Sequence, residues 1–245
     1  MLKISNLKKF FGGVKAVNNC TFHVEKGKIT ALIGPNGSGK TTLFNLVFGV
    51  LKADSGKIIF DKNELRNLPI QKISNLGISR IFQQSRLFDN LTIKENMLLA
   101  FDNEDTKLFK NVFGFNKTTK EKENKIEEIL KLVKMEEHKN KLAKNISYGQ
   151  KRLVEIARSI IKPHKMLMLD EPVAGVTPSL RKELAKLLSK LRDEGETIFV
   201  IEHDMNFVLN IADSVVVLDE GKVIASGKPD IIKNNKRVLE AYLGD

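Results

Sequence analysis

The chain has 245 residues and a formal net charge of +11, a length that suits one large α/β domain with a sizeable buried interior. It contains no run of about 20 apolar residues and no apolar signal-peptide core near its start, so we expect a soluble cytoplasmic protein rather than a membrane-spanning one. The single cysteine, Cys20, excludes an internal disulfide and a cysteine metal cluster.

The positive charge is compatible with nucleic acid, with an anionic membrane face, or with a lysine-rich surface exposed to water. Lysines are interleaved with acidic residues, as in residues 120–125 and 131–141. This pattern favours a solvated surface, and no nucleic acid partner is expected. A bias toward the inner face of a membrane stays open.

The first thirty residues predict an antiparallel β-ribbon with a turn at residues 10–13 and a second strand at residues 14–24. Two aromatic residues, Phe10 and Phe11, come just before the Gly-Gly pair of this turn. An aromatic ring at such a turn could stack on a purine base. Packing of both rings in the core is the alternative, and the residues alone leave the two interpretations even.

Residues 34–42 read Gly-Pro-Asn-Gly-Ser-Gly-Lys-Thr-Thr, which matches the phosphate-binding pattern Gly-x4-Gly-Lys-Ser/Thr. An apolar run precedes them and apolar residues at helical spacing follow, so the loop is predicted between a strand and a helix. Its glycines let N–H groups approach phosphate oxygens at a helix N-terminus. Lys40 is predicted to reach the β- and γ-phosphates, and the Thr41 hydroxyl is predicted to bind Mg²⁺.

A strand at residues 57–60, a helix at 64–75 and a strand at 77–82 are predicted next. The last of these strands ends at Gln83. In an open α/β sheet this position lies at the crevice where ligands bind, which makes Gln83 a candidate for contacting a metal or the attacking water. An ordinary loop amide is the alternative.

From residue 88 to 162 the sequence is helical and rich in charge, which predicts a separate helical lobe. Its basic stretch 106–119 contains three phenylalanines that could contact a partner, a membrane surface or nucleic acid, or could anchor a surface loop. Ser147 is predicted to cap a helix, and the Ser-x-Gly sequence at its start is a second candidate anion site. Taken alone, a capped helix is structural far more often than functional.

Two further buried strands, near residues 166–169 and 197–201, end in titratable side chains. Asp170 follows the first strand and is predicted to anchor Mg²⁺, and Glu171 is placed to polarise a water as a general base. His203 follows the second strand and is predicted at the same crevice. A hairpin across residues 215–225 and a terminal helix complete the chain.

Together these motifs resemble the ATP-binding subunit of an ABC transporter over the whole chain. The phosphate loop, Gln83, the segment Ser147-Tyr148-Gly149-Gln150, the Asp170-Glu171 pair and His203 occur in that family's order. Stretches such as Arg86-Leu87-Phe88 and residues 202–205 resemble the ATPases of branched-chain amino-acid importers. ATPases of lipopolysaccharide export and of urea or amide import are alternatives. A soluble non-transport ABC ATPase would need coiled-coil arms or a second ATPase domain.

The resemblance implies a P-loop NTPase core with a parallel sheet, an antiparallel β subdomain and a helical subdomain. Within a single domain of residues 1–245, the core with its β subdomain would comprise residues 1–87 and 163–245, and the helical subdomain residues 88–162. The implied cofactors are ATP and Mg²⁺. The implied partners are a second ABC ATPase subunit, membrane permease subunits and an external solute-binding protein, with the chain peripheral on the cytoplasmic face of the inner membrane.

The resemblance also implies roles for individual residues. Phe11 would stack on adenine, Thr41, Gln83 and Asp170 would hold Mg²⁺, the last through water, and Glu171, His203 and Gln83 would serve catalysis. The remaining nucleotide-binding residues would be Asn36, Gly37, Ser38, Gly39, Lys40 and Thr42 in one subunit and Ser147, Gly149 and Gln150 in its partner. Two residues depart from the general family pattern: Tyr148 replaces a glycine and Thr177 replaces an aspartate.

Overall fold

The computed structural model describes residues 1–81, 87–102, 116–161 and 163–243. The strands in this part of the chain are β1 (Leu2–Phe11), β2 (Val14–Val24), β3 (Ile29–Ile33), β4 (Ser55–Phe60), β5 (Asn63–Glu64), β6 (Ile78–Ile81), β7 (Met166–Asp170), β8 (Ile198–Ile201), β9 (Ser214–Asp219) and β10 (Lys222–Gly227). The helices are α1 (Lys40–Val47), α2 (Ile70–Asn75), α3 (Ile93–Asp102), α4 (Asn116–Leu132), α5 (Tyr148–Ile160), α6 (Pro178–Asp193), α7 (Met205–Ile211), α8 (Pro229–Lys233) and α9 (Lys236–Leu243).

A six-stranded sheet with the order β10-β9-β3-β8-β7-β6 forms the centre of the molecule. All neighbouring pairs from β9 to β6 are parallel, and β10 closes the edge as an antiparallel hairpin with β9. Strands β3, β7 and β8 are buried along their whole length because helices or the second sheet cover both faces. Because these three strands run parallel, their carboxyl ends meet at one edge of the sheet. Open α/β sheets bind ligands at that edge.

A four-stranded antiparallel sheet with the order β2-β1-β4-β5 packs over α1 and one face of the central sheet. The ring of Phe44 on α1 lies 4.8 Å from that of Phe199 on β8, measured between centroids, and Phe22 of β2 lies 5.9 Å from Phe199 on its other side. Aromatic rings at these separations attract each other in addition to burying apolar area. The middle of α1 is thus packed between the two sheets.

The other face of the central sheet packs against α6, α7 and the helical segment formed by α3, α4 and α5. Apolar residues at helical spacing on α4, including Ile126, Ile129 and Leu130, are buried there, while Glu127 and Lys131 are exposed to water. Of the helices in the described residues, none is both long and apolar enough to cross a bilayer.

Much of the predicted secondary structure is confirmed, including the β-ribbon, the strand before the phosphate loop and the capped helix at Ser147. The predicted α/β fold class, with its parallel sheet and its antiparallel β sheet, is also confirmed. The helix predicted at residues 64–75 is wrong in its first half, because α2 begins only at Ile70. Pro69 precedes that helix with extended backbone angles, and Asn63 and Glu64 pair with β4 instead. The boundaries predicted for the helical subdomain stay a prediction.

Gly56 lets β4 cross β1 closely. It has φ +92°, and a Cβ there would lie 2.5 Å from the Asn6 carbonyl oxygen and from Leu7 Cα. No side chain can be accommodated at that distance unless the strands separate. Gly195 has a similar φ of +98°, yet a Cβ there would meet no atom within 4 Å.

This pair of glycines gives a matched test of the β1–β4 contact. We expect Gly195→Ala to lower the free energy of unfolding by about 1–2 kcal/mol, the cost of left-handed backbone for alanine. Gly56→Ala should cost more than this, because it adds the steric clash with β1. Urea denaturation of both variants measures the difference, and equal losses would contradict the packing described for Gly56.

Candidate functional site

The phosphate loop lies where β2 and β9 come close to the end of β3. A Cβ at Gly34 would lie 2.0 Å from the Leu218 carbonyl oxygen, and a Cβ at Gly39 would lie 2.1 Å from the Ala16 carbonyl oxygen. Gly39 also has φ +102° and precedes the first residue of α1. Glycine is therefore required at both positions, and the loop backbone is fixed at the N-terminus of α1, a position that suits an anion.

Lys40 is the first residue of α1 and is 7% exposed. Its Nζ donates hydrogen bonds to the carbonyl oxygens of Gly34 and Pro35, each at 2.8 Å, and lies 3.5 Å from Ser38 Oγ. Burial lowers the pKa of Lys40, and the nearby carboxylate of Glu171 opposes this shift. A second anion beside the ammonium, such as a phosphate, would favour its charged form further.

An open cleft of about 690 Å³ surrounds this loop. Its walls come from the β1–β2 turn, the loop, the start of α1, Glu171 and the β9–β10 turn. The predicted nucleotide-binding residues that line it are Asn36, Gly37, Gly39, Lys40, Thr41 and Thr42. Phe11 is not one of the described residues that line the cleft, although Gly13 in the same turn does. The Phe11 ring is 45% exposed at the end of β1.

Glu171 directly follows β7 and has φ +46°, a left-handed conformation that is uncommon for a side chain of this kind. Its backbone N–H donates to the Ile201 carbonyl oxygen at 3.0 Å, which fixes the turn against the end of β8. The Glu171 carboxylate lines the cleft, and its Oε1 lies 3.9 Å from His203 Nδ1. The structure thus brings Glu171 and His203 together beside the phosphate loop.

Asp170, the last residue of β7, lies behind the cleft and not in its wall. Its Oδ2 forms an ion pair with Arg80 Nη2 at 2.9 Å, and both side chains are almost fully buried. Arg80 Nη1 donates to Asn45 Oδ1 on α1 at 2.8 Å, and the guanidinium lies over the rings of Phe44 and Phe48. Arg80 therefore connects β7 to the helix that carries Lys40 and Thr41.

The residues present suit a magnesium ion held mainly by phosphate and water. Mg²⁺ in nucleotide sites usually takes only one or two protein ligands and keeps several waters. Thr41 is exposed to the cleft, and the described residues contain no group of three or more His, Cys, Asp or Glu side chains arranged to hold a metal alone. The prediction for Gln83 concerns a position outside the described residues.

The segment Ser147-Tyr148-Gly149-Gln150 begins α5 and is not part of the cleft wall. Ser147 and Gln150 form a reciprocal capping box, with bonds of 3.2 Å to Ser147 Oγ and 2.9 Å to Gln150 Oε1. A Cβ at Gly149 would lie 2.1 Å from Leu180 Cδ2 of α6. Of the two helix N-termini predicted to suit anions, that of α1 therefore lies in the cleft wall and that of α5 does not.

Comparison with known proteins agrees with these features. Residues 17–174 match the family described as ABC transporter, and residues 222–245 match the family described as branched-chain amino acid ATP-binding cassette transporter. The chain belongs to the ABC transporter family. It is an ATP-binding cassette, and its fold is that of the ABC ATPases.

A relative from Archaeoglobus fulgidus, named as a probable branched-chain amino acid transport ATP-binding protein LivG, is 41% identical over 100% of this cassette and 95% of its own length. A solved ATP-binding cassette of an ABC transporter in its ADP conformation has a TM-score of 0.87 and 33% identity, with 100% of this chain and 99% of that chain covered. A dimeric bacterial ABC transporter cassette has a TM-score of 0.78 and 26% identity, with coverage of 94% and 99%.

Two residues, Arg80 and Glu202, connect parts of the site, but the sequence did not predict a role for either. Arg80 is a charged residue within a short strand of the central sheet, and this was the available signal. Glu202 lies within the segment that resembles the family, directly before His203, but its burial and its partners become visible only in three dimensions. Both side chains bind parts of the chain that are distant in sequence.

The buried pair Arg80–Asp170 predicts a large effect on stability. Arg80→Leu should lower the free energy of unfolding by about 3–5 kcal/mol, because it leaves Asp170 as an unpaired buried carboxylate. Adding Asp170→Asn should recover part of this loss, since the unpaired charge is then removed. Urea denaturation measures both variants.

The control is Lys9→Ala, which breaks the partly exposed pair between Lys9 and Asp54. It should cost no more than about 1 kcal/mol, as is usual for ion pairs near the surface. Equal losses for Arg80→Leu and Lys9→Ala would contradict the role of Arg80 as a buried connection.

Proposed function

We propose that this cassette binds ATP with Mg²⁺ and hydrolyses it to drive import of branched-chain amino acids through a membrane permease. The observation that carries the proposal is the Glu171 carboxylate, which lies in the wall of the Lys40 cleft and 3.9 Å from His203. A carboxylate and an imidazole at the open end of a phosphate site are suited to polarise water and to contact a terminal phosphate.

Different residues around the loop would bind the phosphates and the magnesium ion. Backbone N–H groups from Gly37 to Thr42, with the Asn36 and Ser38 side chains beside them, would hold the phosphates at the N-terminus of α1. Lys40 would move from its loop carbonyls to the β- and γ-phosphates. The Thr41 hydroxyl and Gln83 would bind Mg²⁺, with Asp170 acting through water, and the ion would offset negative charge on the phosphates.

Glu171 would accept a proton from the attacking water, and His203 would orient the γ-phosphate beside it. The left-handed turn at Glu171 aims its side chain into the cleft, and this supports its role as the base. Gln83 would contact the same water or metal.

A second ATPase subunit would complete each site. Ser147, Gly149 and Gln150 lie at the start of α5, outside the wall of their own chain's cleft, and would face the γ-phosphate held by a partner. The dimeric cassette among the structural relatives supports this arrangement. Closure of the two subunits over ATP would then transmit force to permease subunits that dock near residues 83–101.

The transported solute is proposed from relatedness. The family match over residues 222–245 and the name of the archaeal relative both concern branched-chain amino acids. We propose the same substrate class here, with an external binding protein that delivers it and with the cassette peripheral on the cytoplasmic face of the inner membrane. Residues 1–87 and 163–245 would form the catalytic core, and residues 88–162 the helical subdomain.

Replacement of the base tests the proposed chemistry. Glu171→Gln should reduce steady-state phosphate release by about 100-fold or more, because the amide cannot accept the proton from water. ATP affinity, measured by isothermal titration, should stay within about twofold, because the phosphate loop is unchanged. Trapped ATP should also shift the variant to a dimer on gel filtration.

Glu220→Gln is the matched control, because Glu220 lines the same cleft from the β9–β10 turn and is exposed. Its turnover should equal that of the wild-type chain. Wild-type turnover in Glu171→Gln would rule out Glu171 as the general base.

A second test concerns the base-stacking role proposed for Phe11. Phe11→Ala should weaken ATP binding by about 5–100-fold, the range expected for loss of one aromatic stacking contact with a base. Binding of inorganic triphosphate should not change, because it has no base to stack. Phe10→Ala is the control at the neighbouring aromatic. Equal weakening of ATP and triphosphate by Phe11→Ala would contradict stacking.

A further inference from the structure

Glu202 is a fully buried carboxylate directly beneath the candidate site. It follows β8, and its backbone N–H donates to the Leu32 carbonyl oxygen of β3 at 3.2 Å. Its side chain does not belong to the cleft wall. A buried carboxylate is costly unless its oxygens accept hydrogen bonds, so its partners indicate what holds it there.

The two carboxylate oxygens of Glu202 bind two different loops. Oε1 accepts a hydrogen bond from the Val173 backbone N–H at 2.9 Å, and Oε2 accepts one from the His203 backbone N–H at 3.2 Å. Burial raises the pKa of Glu202, and the N–H groups of Val173, His203 and Asp204 oppose that shift by stabilising the ionised form. One side chain thus bridges the loop after Glu171 and the loop that carries His203.

We infer that Glu202 is a positioning residue for the ATPase reaction, which sets the separation between the Glu171 and His203 side chains. The inference rests on the proposed function of that pair. Val173 is two residues after Glu171, and the Glu171 N–H is itself held by Ile201 beside Glu202. Both functional loops are therefore attached to the same end of β8. The backbone of Ile201 binds the loop of Glu171, and the Glu202 carboxylate binds an N–H group in each loop.

The hydrogen bonds at position 202 require a side chain with two accepting oxygens. All the bonds described for its two oxygens come from N–H donors, so both oxygens must accept. A glutamine has one accepting oxygen and one NH₂ group, and the NH₂ group would face an N–H donor. Glu202→Gln therefore breaks one of the two hydrogen bonds that hold these loops at the end of β8, while it keeps the size of the side chain. A small displacement of catalytic groups is sufficient to slow a reaction strongly.

The experiment compares wild-type, Glu202→Gln, His203→Ala and the double variant of the full chain. Glu202→Gln should lower kcat by about 10-fold or more, while ATP affinity in a direct binding assay stays within about twofold, because the phosphate loop lies on β3 and α1. In the His203→Ala background the same substitution should lower kcat by about threefold or less, since one of the two positioned groups is already missing.

Asp213→Asn is the matched control. Asp213 Oδ2 accepts a hydrogen bond from the Ile29 backbone N–H at 2.8 Å, but it does so at the opposite end of the central sheet. This substitution should lower stability without changing kcat. Glu202→Asp serves if the glutamine variant does not fold. It keeps the charge but retracts the carboxylate by one methylene, and it should lower kcat with ATP affinity unchanged.

The outcomes distinguish a failure of the positioning role of Glu202 from a failure of the proposed function. Wild-type kcat in Glu202→Gln would overturn the positioning role of Glu202. If that variant does not fold, the same conclusion follows from wild-type kcat in Glu202→Asp. The proposed function would still stand in either case, provided that Glu171→Gln is inactive. An equal loss of kcat in both His203 backgrounds would also overturn it, because that result indicates general structural damage. A wild-type chain without ATPase activity would overturn the proposed function and this inference together.

Discussion

The close backbone approach at Gly34 and Gly39 is the constraint on which the rest of the site depends. Carbonyl oxygens of Leu218 and Ala16 occupy the space that a Cβ would need, so the phosphate loop is fixed where the two sheets meet. This fixes the N-terminus of α1, which begins at Lys40. A site for phosphate is created by backbone packing before any charged side chain contributes.

The second requirement is that the side chains proposed for catalysis reach this loop from separate strands. Parallel pairing sets Asp170 beside Ile201, so the residues that follow β7 and β8 emerge together at one edge. Buried charged side chains then fix their positions. Arg80 connects Asp170 to Asn45 on α1, and Glu202 connects the two loops beyond the strands. Such interactions stabilise only when every polar atom finds a partner, which favours one arrangement of the site over nearby alternatives.

The sequence predicted local elements well, because a Gly-rich loop between an apolar run and a helical pattern, and apolar strands ending in charged residues, have local signatures. It predicted the edge of the sheet where Glu171 and His203 lie from the general behaviour of parallel strands. It could not predict the roles of Arg80 and Glu202, because their partners are distant in the chain. The late start of α2 was missed because pairing of residues 63–64 with β4 overrode local helical preference. The position of Ser147–Gln150 away from the cleft follows from tertiary packing against α6.

The most direct test of the central claim is uptake of labelled leucine by cells in which the native chain is replaced by Glu171→Gln. If this cassette energises import of branched-chain amino acids, initial uptake should fall to the level of cells that lack the chain, and replacement with Glu220→Gln should leave it unchanged. Uptake of an unrelated solute such as glucose should be the same in every strain. Leucine uptake at the wild-type rate in the Glu171→Gln strain would contradict the account.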